Sequence, residues 1–102
     1  MGELDGRVAV ISGGTRGIGR AIAEAYLRDG AKVVVSGRDV AKGQQAIAEM
    51  NAGGNALFVQ SDAMKQEDCE RLITETVAAF GRIDILVNNA GGSKDKIGRA
   101  HV

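Results

Sequence analysis

Four short runs rich in β-branched residues recur along the chain: Arg7 to Ser12 (RVAVIS), Lys32 to Ser36 (KVVVS), Ala56 to Val59 (ALFV) and Ile83 to Val87 (IDILV). Each is apolar almost throughout rather than at alternate positions, the pattern of a strand buried on both faces. Between them, apolar residues return at helical spacing: Ile18, Ala21, Ile22, Ala25 and Tyr26, then Val40, Gly43, Ile47 and Met50, then Cys69, Leu72, Ile73, Thr76, Val77 and Phe80. Gly30 and Gly81 stand where the first and third helices should stop, Asp39 where the second should be capped, and Asn51 to Gly54 reads as a turn. The order βαβαβαβ predicts an α/β fold, a parallel sheet with helices on both faces. Right-handed crossovers give strand order 3-2-1-4, half of a doubly wound sheet. The first two helices should cover one face and the third part of the other, leaving the fourth strand as an exposed apolar edge.

Composition narrows the function classes. Lys plus Arg number 13 and Asp plus Glu 13, so no basic surplus drives binding to nucleic acid or to an anionic membrane. No apolar run approaches the ~20 residues that span a bilayer, and the first residues show no signal-peptide pattern. The single cysteine, Cys69, excludes a disulfide framework and fits a small core hydrophobe better than a nucleophile. The expected location is cytoplasmic. Aromatics are only 3%, so Val, Ile, Leu and Ala must build the core.

The segment Ser12-Gly13-Gly14-Thr15-Arg16-Gly17-Ile18-Gly19 leaves the first strand and opens the first helix. A helix N-terminus offers unpaired N–H groups and the positive end of a dipole, and glycines let a pyrophosphate approach the backbone. The glycines fall at 13, 17 and 19, a G-x-x-x-G-x-G spacing. A tight strand-to-helix turn without ligand is the alternative reading.

This loop resembles the T-G-x-x-x-G-x-G loop of the short-chain dehydrogenases/reductases, with Ser12 in place of Thr. Asn88-Asn89-Ala90-Gly91 at the end of the fourth strand resembles the family's N-N-A-G signature, and Asp62 stands where the family places an adenine-contacting Asp. The three come in the family's order and spacing, over residues 3 to 93. The resemblance implies a Rossmann-type fold, a dinucleotide cofactor, and cofactor-binding roles for Gly13, Thr15, Arg16, Gly17, Ile18, Gly19, Arg38, Asp62, Asn89, Ala90 and Gly91. The loop is similar to that of 3-oxoacyl-carrier-protein reductases and of sugar-alcohol and steroid dehydrogenases alike. Taken singly, Asp62 also fits a turn cap, and Asn88 and Asn89 fit ordinary turn residues.

Cofactor choice is set near the end of the second strand, where an acidic residue bonds the ribose of NAD and an Arg accommodates the 2′-phosphate of NADP. The sequence there is Ser36-Gly37-Arg38-Asp39, with Gly37 at the position of the family's discriminating Asp. Arg38, with Arg16 from the glycine loop, points to NADP rather than NAD. Asp39 reads as a helix cap, with a ribose contact as the alternative; solvated surface charge is the alternative for each Arg.

The family's Tyr-x-x-x-Lys motif does not occur: the one tyrosine, Tyr26, lies on an apolar stripe and is followed four residues later by Gly30. No catalytic residue and no metal site is therefore assigned within the chain. The expected organisation is a cofactor-binding half-domain over 1–93 and a non-native tail over 94–102. The last six residues, IGRAHV, are what ATC-GGA-AGA-GCA-CAC-GTC would encode, which matches a common sequencing-library adapter. The parent is expected to be an NADP(H)-dependent oxidoreductase, EC 1.1.1.-, acting on a small-molecule carbonyl or alcohol as a homotetramer. The fragment itself is expected to be inactive. A non-catalytic NADP(H)-binding or sensing module and a non-functional truncated product are the alternatives.

Overall fold

Burial on both faces is what turns the apolar runs into strands. The computed structural model describes residues 2–89 and 96–99. In it β1 (Val8–Ser12), β2 (Lys32–Gly37), β3 (Ala56–Gln60) and β4 (Ile85–Asn88) lie parallel, with α1 (Gly17–Arg28), α2 (Val40–Met50) and α3 (Gln66–Phe80) as the crossovers. The sheet order is β3-β2-β1-β4-β5, where β5 is Lys96–Arg99. The order expected for the first four strands is observed.

The alternation of side chains divides the core into two layers. Ala9, Ile11, Val33, Val35 and Val87 face α1 and α2, and Ile22, Tyr26, Leu27, Ile47 and Met50 pack onto them. Val10, Val34 and Val59 face the other way, against Leu72 and Phe80 of α3. Each fully buried valine contributes about 1.5–3 kcal/mol by leaving water. Tyr26 is part of the first layer, as its stripe predicts. The second helix sits close to the sheet because Gly43 has no side chain and the Phe58 ring lies against it.

Three expectations are corrected. Cys69 is exposed rather than a core residue, and Ile73 and Val77 are 40% and 37% exposed. The buried line on α3 is only Leu72 and Thr76, one turn apart, because a single helix meets a flat sheet along a narrow seam. The buried Thr76 hydroxyl donates to the Leu72 carbonyl at 2.8 Å. Next, β4 begins at Ile85 rather than Ile83, since the ladder with β1 opens at Ala9 opposite Ile85. Ile83 is still buried, ahead of the strand.

The outer edge of β4 is not bare. β5 pairs with it antiparallel, from Ile85 opposite Arg99 to Asn88 opposite Lys96. An edge strand presents a row of backbone donors and acceptors, and any extended segment within reach satisfies them. Four residues of the tail expected over 94–102 take that place.

Where β1 and β4 start, Asp84 ties them together. Its carboxylate accepts the Val8 N–H at 2.9 Å and meets Arg82 at 2.6 Å and Arg7 at 3.3 Å. Partial burial pushes this carboxyl up, but the bonds from Arg82, Val8 and Arg7 outweigh it and hold the group below the ordinary aspartate range.

Candidate functional site

Parallel strands end together, and the loops leaving them enclose a cleft at their C-terminal edge. Here the cleft has a volume of about 1280 Å³ and is walled by the residues that follow β1, β2 and β3, with Asn89 beyond β4. Four separate stretches of sequence therefore meet at one place.

The glycine loop forms the floor. Gly13 leaves β1 with φ +76, a conformation that favours glycine, and its N–H donates to the Ser36 carbonyl of β2 at 2.9 Å. Arg16 is the N-cap of α1 but gives it no side-chain cap, and the helix has no acidic residue in its first turn. The positive end of the helix thus faces the cleft without a carboxylate of its own beside it. Thr15, Arg16, Gly17 and Ile18 line the cleft, with Ile18 63% exposed.

Gly19 is buried beneath this loop and does not line the cleft. A Cβ there would collide with the Gly13 carbonyl oxygen and stand 2.6 Å from Asn89 Nδ2. Asn89 links the end of β4 to the glycine loop: Nδ2 donates to the Gly13 carbonyl at 3.4 Å and the backbone N–H to the Ser12 carbonyl at 3.1 Å. The third glycine and the asparagine are thus two halves of one contact.

Past β2, Arg38 is exposed on the cleft while its carbonyl accepts the Gln60 side-chain amide at 3.4 Å. Asp39 is the N-cap of α2, its Oδ1 accepting the Lys42 N–H at 3.1 Å. Among the described residues, Arg16, Arg38 and Lys42 form no ion pair. The cleft therefore carries three cations, against Asp39 and Asp62.

Past β3, the Ser61 N–H donates to the Gly37 carbonyl at 2.9 Å and places Asp62 on the rim. Asp62 Oδ1 accepts the Met64 N–H at 2.9 Å, so the residue both braces a turn and lines the cleft. Ala90 and Gly91, the other two residues singled out by sequence, lie outside the described residues.

Sequence reasoning missed Val40, Ala41, Lys42, Ser61, Ala63 and Met64 as lining residues. The signal available was position alone: each lies within a few residues of a parallel strand's C-terminal end. Among the described residues no group of acidic, histidine or cysteine side chains could hold a metal ion. No described helix is long and apolar enough to cross a membrane.

Comparison with known proteins agrees with the fold. The family model described as short chain dehydrogenase matches residues 7–100. An uncharacterized oxidoreductase of Methylorubrum extorquens is 44% identical over 93 residues, 89% of this chain and 38% of the relative. The NADP-dependent (R)-specific alcohol dehydrogenase of Lentilactobacillus kefiri is 42% identical, over 87% of this chain and 35% of its own. Among solved structures, 3-ketoacyl-(acyl-carrier-protein) reductase from Brucella melitensis complexed with NADH superposes with a TM-score of 0.77 at 36% identity, covering 82% of this chain and 34% of that one. The chain spans about a third of the length of the curated relatives it matches.

Proposed function

Because this chain belongs to the short chain dehydrogenase family, a family of oxidoreductases with the Rossmann-type sheet described above, we propose that it is the cofactor-binding part of an enzyme that interconverts a carbonyl and an alcohol with NADP(H). The observation that carries this reading is the convergence of the glycine loop, Arg38 and Asp62 on one cleft. The residues fit the group: Gly19 leaves no room for a side chain between the loop and Asn89, and the α1 N-terminus opens on the cleft.

In this reading the backbone from Gly13 through Thr15, Gly17 and Ile18 cradles the pyrophosphate at the start of α1, with Gly19 permitting the close packing beneath. Arg16 and Arg38 hold the 2′-phosphate, where two guanidiniums offer paired donors to an anion. Asp62 accepts from the adenine amine, and Asn89 orients the nicotinamide side by fixing the Gly13 carbonyl. Ala90 and Gly91 continue that wall. NADP(H), when bound, supplies or takes the hydride.

Substrate recognition, proton transfer and a homotetrameric assembly are assigned to the two thirds of the relatives' length that this chain does not match. A cytoplasmic location is part of the same reading. NADP is preferred over NAD because one relative's name specifies NADP and because Asp39 is engaged as a helix cap. The 3-ketoacyl reductase, in complex with NADH, is the counter-case that makes measurement necessary.

The test is titration of the 102-residue chain with NADPH and with NADH. Tighter binding of NADPH is expected. Equal affinity or an NADH preference overturns the NADP assignment, and binding of neither overturns the dinucleotide reading. A second reading, a non-catalytic binding module, is favoured by one observation: β5 covers the β4 edge within this chain. It requires the chain to be monodisperse in solution as well as to bind NADPH.

A further inference from the structure

The rim residue Asp62 is held from behind by a group that does not line the cleft. Asp68 stands in the first turn of α3, and its Oδ2 accepts the Asp62 N–H at 2.8 Å. Its Oδ1 lies 3.4 Å from Arg71 Nη1, and Arg71 Nη2 in turn donates to the Gln60 carbonyl. The pair thus grips the backbone on both sides of Ser61, whose own N–H is bound to the Gly37 carbonyl of the neighbouring strand. Lys65, the N-cap of α3, makes no side-chain cap bond. The turn is closed locally by the Lys65 N–H, which donates to the Asp62 carbonyl at 2.9 Å, and Asp68 reaches back past the uncapped Lys65 to bind the turn's leading N–H. Its side chain is only 18% exposed, which strengthens a bond between a carboxylate and an amide.

We propose that Asp68 is a positioning residue for cofactor binding: through the Asp62 N–H it sets the turn that presents Asp62 and Met64 to the adenine end of the cleft. The Asp62 carboxylate is oriented from the other side by the Met64 N–H, the Ser61 N–H ties the approach to β2, and the bond to Asp68 fixes the Asp62 main chain against α3. Arg71 shares in this by holding the Gln60 carbonyl and neutralising Asp68. The proposal rests on the dinucleotide reading of the cleft, and the experiment separates the two.

The wild-type 102-residue chain, Asp68→Ala and Asp68→Asn are titrated with NADPH and with adenosine 2′,5′-bisphosphate, the adenine half of the cofactor. Amide resonances are followed by proton–nitrogen NMR. Asp68→Ala should weaken both ligands about tenfold and move the Asp62 amide proton upfield, leaving the Gly13 and Gly17 amides in place. Asp68→Asn keeps an acceptor oxygen and should recover most of the affinity. A merely structural role would shift the glycine-loop amides as much as that of Asp62 and would overturn the proposal, as would unchanged affinity. Should Asp68→Ala fail to fold, Arg71→Met is read by the same signals. If the wild-type chain binds neither ligand, the dinucleotide reading falls and the proposal with it.

Discussion

The Asp39 carboxylate accepts the Lys42 backbone N–H at 3.1 Å, which makes Asp39 the cap of α2. Its neighbour Arg38 stands exposed on the cleft. Arg38→Ala should therefore lower NADPH affinity on the order of tenfold and leave NADH affinity unchanged. Asp39→Ala should cost about 1 kcal/mol of stability as a lost cap and leave the NADPH to NADH ratio as it is. Calorimetric titration of both variants with both cofactors is the check. A ratio that follows Asp39 rather than Arg38 would make Asp39 a ribose ligand.

Gly19→Ala places a methyl group against the Gly13 carbonyl and Asn89 Nδ2. Overpacking of this kind costs about 1–3 kcal/mol, and the loop must move to relieve it. The expected result is a lower urea midpoint together with at least a tenfold loss of NADPH affinity. Retained affinity would show that the loop's closeness to Asn89 is not needed for binding.

Asp84 gives stability an acid limb. Its folded-state pKa is held below the ordinary 3.8, so the folded chain binds a proton here less readily than the unfolded one. Its contribution is complete above the ordinary value and is lost as pH falls through the lower folded-state value. Asp84→Asn should destabilise at neutral pH by about 1–3 kcal/mol. The gap between the two proteins should close on acidification. Urea midpoints from about pH 7 to pH 2 measure it, and a gap independent of pH would remove the ion-pair explanation.

We propose that the residues after about Ser93 in the source gene differ from those written here. Re-sequencing the DNA across codon 93 should continue in frame to a strand carrying Ser and then to Tyr-x-x-x-Lys. A genomic clone encoding Ile97-Gly98-Arg99-Ala100-His101-Val102 followed by a stop would overturn this. The pairing of β5 with β4 would then belong to the native chain.

Periodicity was enough to read the sheet because its signal is local. A run such as Val33-Val34-Val35 is buried whichever side chain points up or down, and all three are 0% exposed. The same logic failed for α3. Cys69, Ile73 and Val77 satisfy helical spacing, yet the number buried depends on how much of the helix the sheet touches. Ile83 shows the same limit, since it is apolar and buried but lies outside the ladder.

The sequence by itself determined the order of elements, the parallel sheet and the glycine loop, because each rests on residues close together in the chain: an apolar run, a cap, a turn glycine. Tertiary structure alone decided that Gly19 and Asn89, seventy residues apart, share one contact, that Asp68 rather than a cap residue holds Asp62, and that β5 takes the edge of β4. Gly19 and Asn89 are distant in the sequence, whereas Asp62 and Asp68 stand six residues apart and β5 is the element after β4; none of the three pairings follows from strand or helix periodicity. They are set by which backbone donors and acceptors the packed sheet leaves within reach, and no local spacing encodes that.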